Sequence, residues 1–387
     1  MDLAVKELFI LHFLNDGIRS TFVSLLPFIA KDFKLNLGLV GFLGSAQPLL
    51  ATILAIPASF FAARIGSFKL LIYLLIIYSL GAFLAFLAPN FILITLAFLL
   101  AATGFGMFHT VSFTLVGRES SGEQMGKNMG NFTSIGDVGR ILIPPVAVFL
   151  VSVSSWRVSM LLLSVLGFLI FIFIKVTRVK KIESKIYQKS ESHTQFIKQL
   201  IEIIKSRKMI LTLIAGILDS LASSPIFIFL PFLLFTKGIT IQEYAFIVGF
   251  YSGGSLIGKY VLGRGVDKFG NLKIFIFSEI CMGLALIFLT VSNHLLLIFF
   301  ITLVLGLFTR GTTPVITSMF SQVSHKGHYD KIFALSEMFI GFAAMVTVTG
   351  MGIIADRIGV YFVFYTASVL AVLATIPAVI LYKKFNS

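Results

Sequence analysis

Apolar residues run in long blocks along this 387-residue chain, separated by short polar breaks. A helix needs about 20 mainly apolar residues to cross a hydrocarbon core about 30 Å thick. Twelve segments meet that need, at residues 7–30, 37–62, 68–88, 91–117, 129–152, 156–177, 209–236, 241–264, 272–292, 295–317, 330–354 and 358–382. The pattern predicts an all-α membrane protein with 12 transmembrane helices. The longest polar stretch, Arg178 to Lys208, is rich in Lys, Glu, Ser and Gln and separates two sets of six. It reads as a cytosolic linker (178–208) joining two pseudo-symmetric six-helix bundles, an N-terminal one (1–177) and a C-terminal one (209–387).

The chain is 57% hydrophobic and 12% charged, against about 45–50% and 25% in soluble domains, which excludes an ordinary soluble enzyme. Its single cysteine, Cys281, excludes an internal disulfide. A formal charge of +14 would suggest nucleic acid in a soluble protein. Here its placement argues otherwise. Of the Lys and Arg residues, 22 fall at the ends and loops of one side, including the termini and the 178–208 stretch, and five (Lys31, Lys34, Arg157, Lys237 and Arg357) on the other. Basic loops stay in the cytosol beside anionic lipid, so both termini are expected to be cytoplasmic in a multi-pass protein of the inner or plasma membrane. Met1 and Asp2 open without a basic region, and the first apolar run carries Asn15, Asp16 and Arg19, so helix 1 is expected to stay rather than be cleaved as a signal.

The two halves resemble each other. Asp16 and Asp219 each precede a Pro-Phe pair, Pro27-Phe28 and Pro231-Phe232, by eleven or twelve residues. Asp16 to Asp219 is a step of 203 residues, and Arg64 to Lys268, Gly104 to Gly306 and Asp137 to Glu337 are steps of 204, 202 and 200. Six-helix halves repeated in one orientation are the sequence mark of a secondary transporter.

Charge at membrane depth carries the chemistry, since one ionised side chain at the centre of a membrane helix costs about 2.5 to 3.5 kcal/mol even on the mildest scale. Asp16 lies ten residues past Lys6, about 15 Å at helical rise and so near the midplane. His12, Asp16 and Arg19, at i, i+4 and i+7, put a titratable ring, a carboxylate and a guanidinium on one face. Asp137 and Arg140 repeat the arrangement in the fifth helix, ten residues beyond Lys127. Either these are Asp–Arg pairs, within or across the helices, that only fix packing, or they face an aqueous path.

The second half adds Asp219, Arg310 and Glu337 in or near the middle third of their helices. Low dielectric favours a neutral carboxyl and a nearby Arg favours a charged one, so arrival of substrate can toggle protonation. Asp16 and Asp219 are the expected proton carriers, although a hydrogen bond to Ser220 or Ser223 accounts for Asp219 equally well. Arginine grips carboxylate or phosphate with two parallel hydrogen bonds, which makes Arg19, Arg140 and Arg310 candidates for an anionic or polar substrate. His109, nine residues before Arg118 and thus about 13 Å into helix 4, is a proton relay or a ring bonded to a neighbouring helix. Glu279 and Lys259 fall nearer the cytosolic end, where snorkelling or pairing around the loops suffices.

Other chemistries lack their motifs. His325 and His328 stand three apart without Cys, Asp or Glu at ligand spacing, so no metal site is expected. No Walker lysine loop and no serine-hydrolase elbow is present, and no cofactor is expected. The glycines from Gly249 to Gly270 follow no strand and read as close helix packing.

The run Gly263-Arg264-Gly265-Val266-Asp267-Lys268-Phe269-Gly270 resembles the loop signature of the major facilitator superfamily (MFS), whose fold is a pair of six-helix bundles. The resemblance implies a gating loop at the cytosolic face, in which Gly263, Arg264, Asp267, Lys268 and Gly270 latch the outward-facing state. Its first-half counterpart, Ser59 to Gly66, keeps Arg64 and Gly66 but has Ala63 where the family has Asp, leaving Asp267 more of the task. His12-Phe13-Leu14-Asn15-Asp16 and Gly104-Phe105-Gly106-Met107-Phe108-His109 resemble the fosmidomycin-resistance type of exporter. Thr110 stands where that group usually has Pro, and Asp137 and Arg140 where small residues are usual. Ile143-Pro144-Pro145 stands where antiporters of the superfamily often carry Gly-Pro.

The expected protein is a monomeric secondary transporter and not an enzyme. It is read as a proton-coupled antiporter that exports a small organic molecule by alternating access, with substrate, protons and membrane lipids as its partners and no nucleic acid. A proton-coupled importer of organic anions and a non-transporting receptor or scaffold with frozen ion pairs are the alternatives. A channel would need a filter-like loop, which the sequence lacks.

Overall fold

The computed structural model describes residues 3–119, 125–177, 206–323 and 329–385, which are helical nearly throughout. Within hydrocarbon a backbone N–H or C=O finds no water, so a spanning segment must close its hydrogen bonds internally. The first seven helices are α1 (Leu3–Ser24), α2 (Leu26–Phe33), α3 (Leu37–Ile65), α4 (Ser67–Leu87), α5 (Phe91–Glu119), α6 (Met125–Val153) and α7 (Trp156–Thr177). The next seven are α8 (Arg207–Thr236), α9 (Ile241–Phe269), α10 (Asn271–Val291), α11 (Leu295–Thr309), α12 (Thr313–Val323), α13 (Tyr329–Ile358) and α14 (Tyr361–Phe385).

Eleven spans among the described residues are long and apolar enough to cross a membrane, α11 and α12 forming one of them. The expected first span is not among the eleven. Its 22-residue α1 is long enough, but every 18-residue stretch of it holds at least three charges, Glu7, Asp16 and Arg19 among them. Large apolar side chains such as Ile92, Val176, Leu296 and Phe300 stand exposed on the outer faces, as on a surface that meets lipid.

Three expected boundaries are corrected. The first helix, expected over 7–30, breaks at Leu25, because Pro27 has no N–H to extend α1 and its fixed φ suits the opening turn of α2. The tenth, expected over 295–317, breaks at 310–312, where Gly311 and then Pro314 interrupt the backbone ladder. The eighth, expected to end at 264, runs on to Phe269. Most of the expected linker, 178–205, lies outside the described residues. At its end Ser206 caps α8, its hydroxyl accepting from the Met209 N–H.

Helix starts repeat at a nearly fixed step. From Leu37 to Ile241, Ser67 to Asn271 and Phe91 to Leu295 the interval is 204 residues, and from Trp156 to Tyr361 it is 205. Asp16 and Asp219 are one residue out of that register, and Asp137 and Glu337 are out by four, so the latter are not equivalent positions. Gly66 (φ +93°) and Gly270 (φ +86°) are the single-residue links from α3 to α4 and from α9 to α10, a conformation that a side chain would strain.

Contacts divide the chain into two compact units. One comprises Met1–Asn36, Phe42–Tyr187 and Thr240–Gly249, the other Leu37–Gly41, Gln188–Ile239 and Phe250–Ser387. In the first, α1 packs on α6 and α5, and α4 on α5 and α7. In the second, α8 packs on α13 and α14, and α10 on α14, α11 and α12.

Candidate functional site

In the first unit α1 and α6 approach backbone to backbone. A Cβ on Gly139 would fall on the Phe13 carbonyl, and one on Gly136 would lie 2.7 Å from both Asp16 Oδ2 and His12 Nε2. The bare Gly136 backbone therefore leaves room for the carboxylate and the ring. Gly136→Ala is expected to displace both, lowering stability by roughly 1–3 kcal/mol. An unaltered melting temperature of the purified variant would contradict this packing.

Asp16 sits at the centre, 1% exposed, with four groups on its carboxylate. Oδ1 accepts from Asn15 Nδ2 at 3.0 Å and lies 3.3 Å from His109 Nε2. Oδ2 is 2.5 Å from an Arg140 guanidinium nitrogen and 3.3 Å from His12 Nε2. The other arm of Arg140 donates to Asp137 Oδ1 at 2.7 Å, so one guanidinium bridges α1 and its own helix. Both pairings expected for the arginine, within α6 and across to α1, are thus made at once.

His12 is fixed by the carbonyl of Phe132, 2.7 Å from Nδ1. A carbonyl can only accept, so Nδ1 carries the hydrogen and Nε2 of the neutral ring is a bare acceptor. It faces a carboxylate oxygen, also an acceptor, and has no hydrogen-bond donor among the described residues. The ring is held there by stacking on Phe132 at 4.1 Å. His109 meets it edge-on at 5.3 Å. His109 is 26% exposed and Arg140 19%, so the cluster is reached through these two and closed behind Asp16. Single atoms of His12, Asp16 and His109 lie within 4.8 Å of one another, close enough to hold a metal. The Arg140 charge on the same carboxylate disfavours a divalent cation there.

Arg19 engages α3. Its Nε donates to Gln47 Oε1 at 3.0 Å, and Gln47 Nε2 donates to the Arg19 carbonyl at 3.3 Å, tying α1 to α3.

In the second unit Asp219 is buried on α8. The Ser220 hydroxyl is engaged with Ser224 and the Ile340 carbonyl instead of with Asp219. The carboxyl that reaches Asp219 is that of Glu279 on α10. Arg310 occupies the C-cap of α11, where helix carbonyls end and a cation is favoured. Its guanidinium lies over the Phe227 ring at 4.4 Å and 5.9 Å from the Tyr251 ring centre. Tyr251 in turn stacks on Phe227 and shares a 2.7 Å hydrogen bond with Thr309. The side chain of Glu337, on α13, lies outside the described residues, as do His325 and His328.

The sequence matches the family model of the Major Facilitator Superfamily over residues 8–218 and 212–385. The chain belongs to this superfamily. It is a multi-pass membrane transporter and not an enzyme. No curated protein matches its sequence. Its fold is similar to that of a bacterial homologue of the human lysosomal transporter Spinster, inward-facing and occupied, with a TM-score of 0.77, 13% identity, and 99% of this chain and 97% of that one covered. For the unoccupied form of that homologue the values are 0.72, 13%, 97% and 94%. For the nucleoside transporter NupG they are 0.81, 14%, 98% and 100%. At such identities the likeness is one of fold.

The superfamily's loop signature falls mostly on helix. Gly263, Arg264, Asp267 and Lys268 belong to the last turns of α9, and of the five expected gating residues only Gly270 stands in the link. Arg264 lies 4.0 Å over the Tyr260 ring and Lys268 5.1 Å from that of Phe269. Asp267 has no ion-pair partner among the described residues. Sequence reasoning missed Gln47, whose signal was a lone amide in an apolar run; Glu279, expected to snorkel or pair near the cytosolic end, is instead fully buried on α10.

Proposed function

We propose that this superfamily member is a proton-coupled antiporter that exports a small organic molecule, anionic or polar, by alternating access, akin to the fosmidomycin-resistance type. Asp16 and Asp219 carry protons. Arg19, Arg140 and Arg310 engage substrate, with His109, Asp137 and Glu337 around them, while Gly263, Arg264, Asp267, Lys268 and Gly270 gate the path. The chain acts as a monomer with both termini in the cytoplasm, on the side where its basic loops gather.

The observation that carries this reading is the Asp16 carboxylate, buried yet touched by two imidazoles and a guanidinium. Besides Arg140 and Asn15, the contacts of Asp16 come from rings that can take or give a proton. A proton entering through the partly exposed His109 reaches Asp16 by one transfer. Neutralising Asp16 loosens its hold on Arg140 and frees a guanidinium arm for an anion.

Purified protein in proteoliposomes under an imposed pH gradient, challenged with a panel of anionic, neutral and cationic compounds, tests the proposal. At least one compound is expected to move against the proton flux. If no compound moves protons or is itself moved, the antiporter reading fails. Movement with the proton flux would make the protein an importer.

A further inference from the structure

Glu279 lies in the middle of α10 and is fully buried, with 0% exposure, and Asp219 on α8 is 6% exposed. Their carboxyls meet within hydrogen-bond range. Neither oxygen of Glu279 and not Oδ1 of Asp219 receives a hydrogen bond from any described group. One helical turn before each of them, Ala215 and Phe275 belong to an apolar cluster with Ala374 and Ala378 of α14, the helix on which both α8 and α10 pack. This apolar packing closes one side of the pair.

The described charged and titratable groups of the packed elements have contacts of their own or lie toward helix ends. Arg310 at the end of α11 faces Phe227 and Tyr251, and Lys273 of α10 lies against Tyr382 of α14. Lys383 and Lys384 occupy the last turn of α14, and Arg357 that of α13, next to Asp356. Tyr361 and Tyr365 lie in the first turns of α14, Cys281 is half-buried on α10, and α12 carries no charged residue. Among the described residues, no cation compensates the pair.

Two ionised carboxylates are both acceptors and cannot bond to each other, whereas one proton turns either into a donor. We propose that Asp219 and Glu279 hold a single proton between them, which makes them a proton-binding site in the second unit, with Glu279 its inner member. Uptake of a proton forms one O–H bond and takes the pair from two negative charges to one. Release restores two carboxylates. Its use in transport rests on the proton-coupled reading above, but proton binding itself does not.

Infrared difference spectroscopy of the full chain in liposomes, in light and heavy water across a pH series, reads the proton directly. The wild type is expected to show a deuterium-sensitive carboxylic-acid carbonyl band at neutral pH. Glu279→Gln and Asp219→Asn are each expected to lose it, because the shared proton needs both partners. If one variant fails to fold, as judged by size exclusion, the other decides. A wild type without the band, or a band of full strength in a folded variant, overturns the proposal. So does a band removed at constant pH by sodium but not by choline, which would make the pair a metal-cation site.

Transport separates the two readings. Loss of the band in the variants with proton-driven flux unaffected by Asp16→Asn would keep the pair and sink the Asp16 mechanism. A wild type without the band but with flux abolished by Asp16→Asn would do the reverse.

Discussion

Asp16→Asn is expected to lower pH-gradient-driven transport by on the order of a hundredfold or more, the scale at which one positioned proton-transfer group acts. The substitution keeps the shape of the side chain and removes its charge and its capacity for a proton. It also misplaces a donor. If the new amide nitrogen takes the place of Oδ2 it opposes Arg140, and if it takes the place of Oδ1 it opposes Asn15 Nδ2. The resulting mismatch costs about 1–3 kcal/mol of stability, so the variant should still fold. Exchange of substrate for substrate without a pH gradient separates chemistry from collapse. It is expected to survive in the variant while the proton-driven rate does not. An unchanged proton-driven rate in folded Asp16→Asn would mean that the cluster is a packing device.

How far such sites are legible in a sequence depends on what kind of information places them. Apolar length is local, so the spans of α3 to α7 and of α8 to α10 could be read directly, and the Lys and Arg positions at their ends sharpened them. Breaks depend on context. Pro27 divides α1 from α2, yet Pro231, at the matching place in the repeat, sits inside an unbroken α8. The face shared by His12 and Asp16 followed from helical spacing, and the structure brings them within 3.3 Å.

Spacing says nothing about which neighbour a long side chain chooses. Arg19, three residues beyond Asp16, turns to Gln47 on another helix, while Arg140 crosses from α6 to fill the place. Glu279 differs for a related reason. Its place toward the cytosolic end suggests snorkelling, but it is fully buried on α10, which packs on α14, where Ala371, Ala374 and Ala378 offer only methyl groups.

Arg140→Gln is expected to give the largest loss of stability of any single change in the first unit. The guanidinium bridges Asp16 Oδ2 and Asp137 Oδ1, both on carboxylates buried to within a few per cent. Removing it takes away the cation that two buried carboxylates share at the α1–α6 contact. Breaking one buried pair costs about 3–5 kcal/mol, because the partner left behind stays desolvated and unpaired. The neutral glutamine can donate to one carboxylate but cannot balance two. Asp137→Asn added to Arg140→Gln removes one of the two charges that shared the guanidinium, and is expected to recover part of the loss as a coupling of about 0.5–3 kcal/mol in a double-mutant cycle. Arg140→Lys keeps the charge but not the planar fork, so it should hold one carboxylate and release the other. Its stability should lie between wild type and Arg140→Gln. If Arg140→Gln melts with wild type, the bridge contributes nothing to the fold, and the guanidinium is held at Asp16 for the substrate alone.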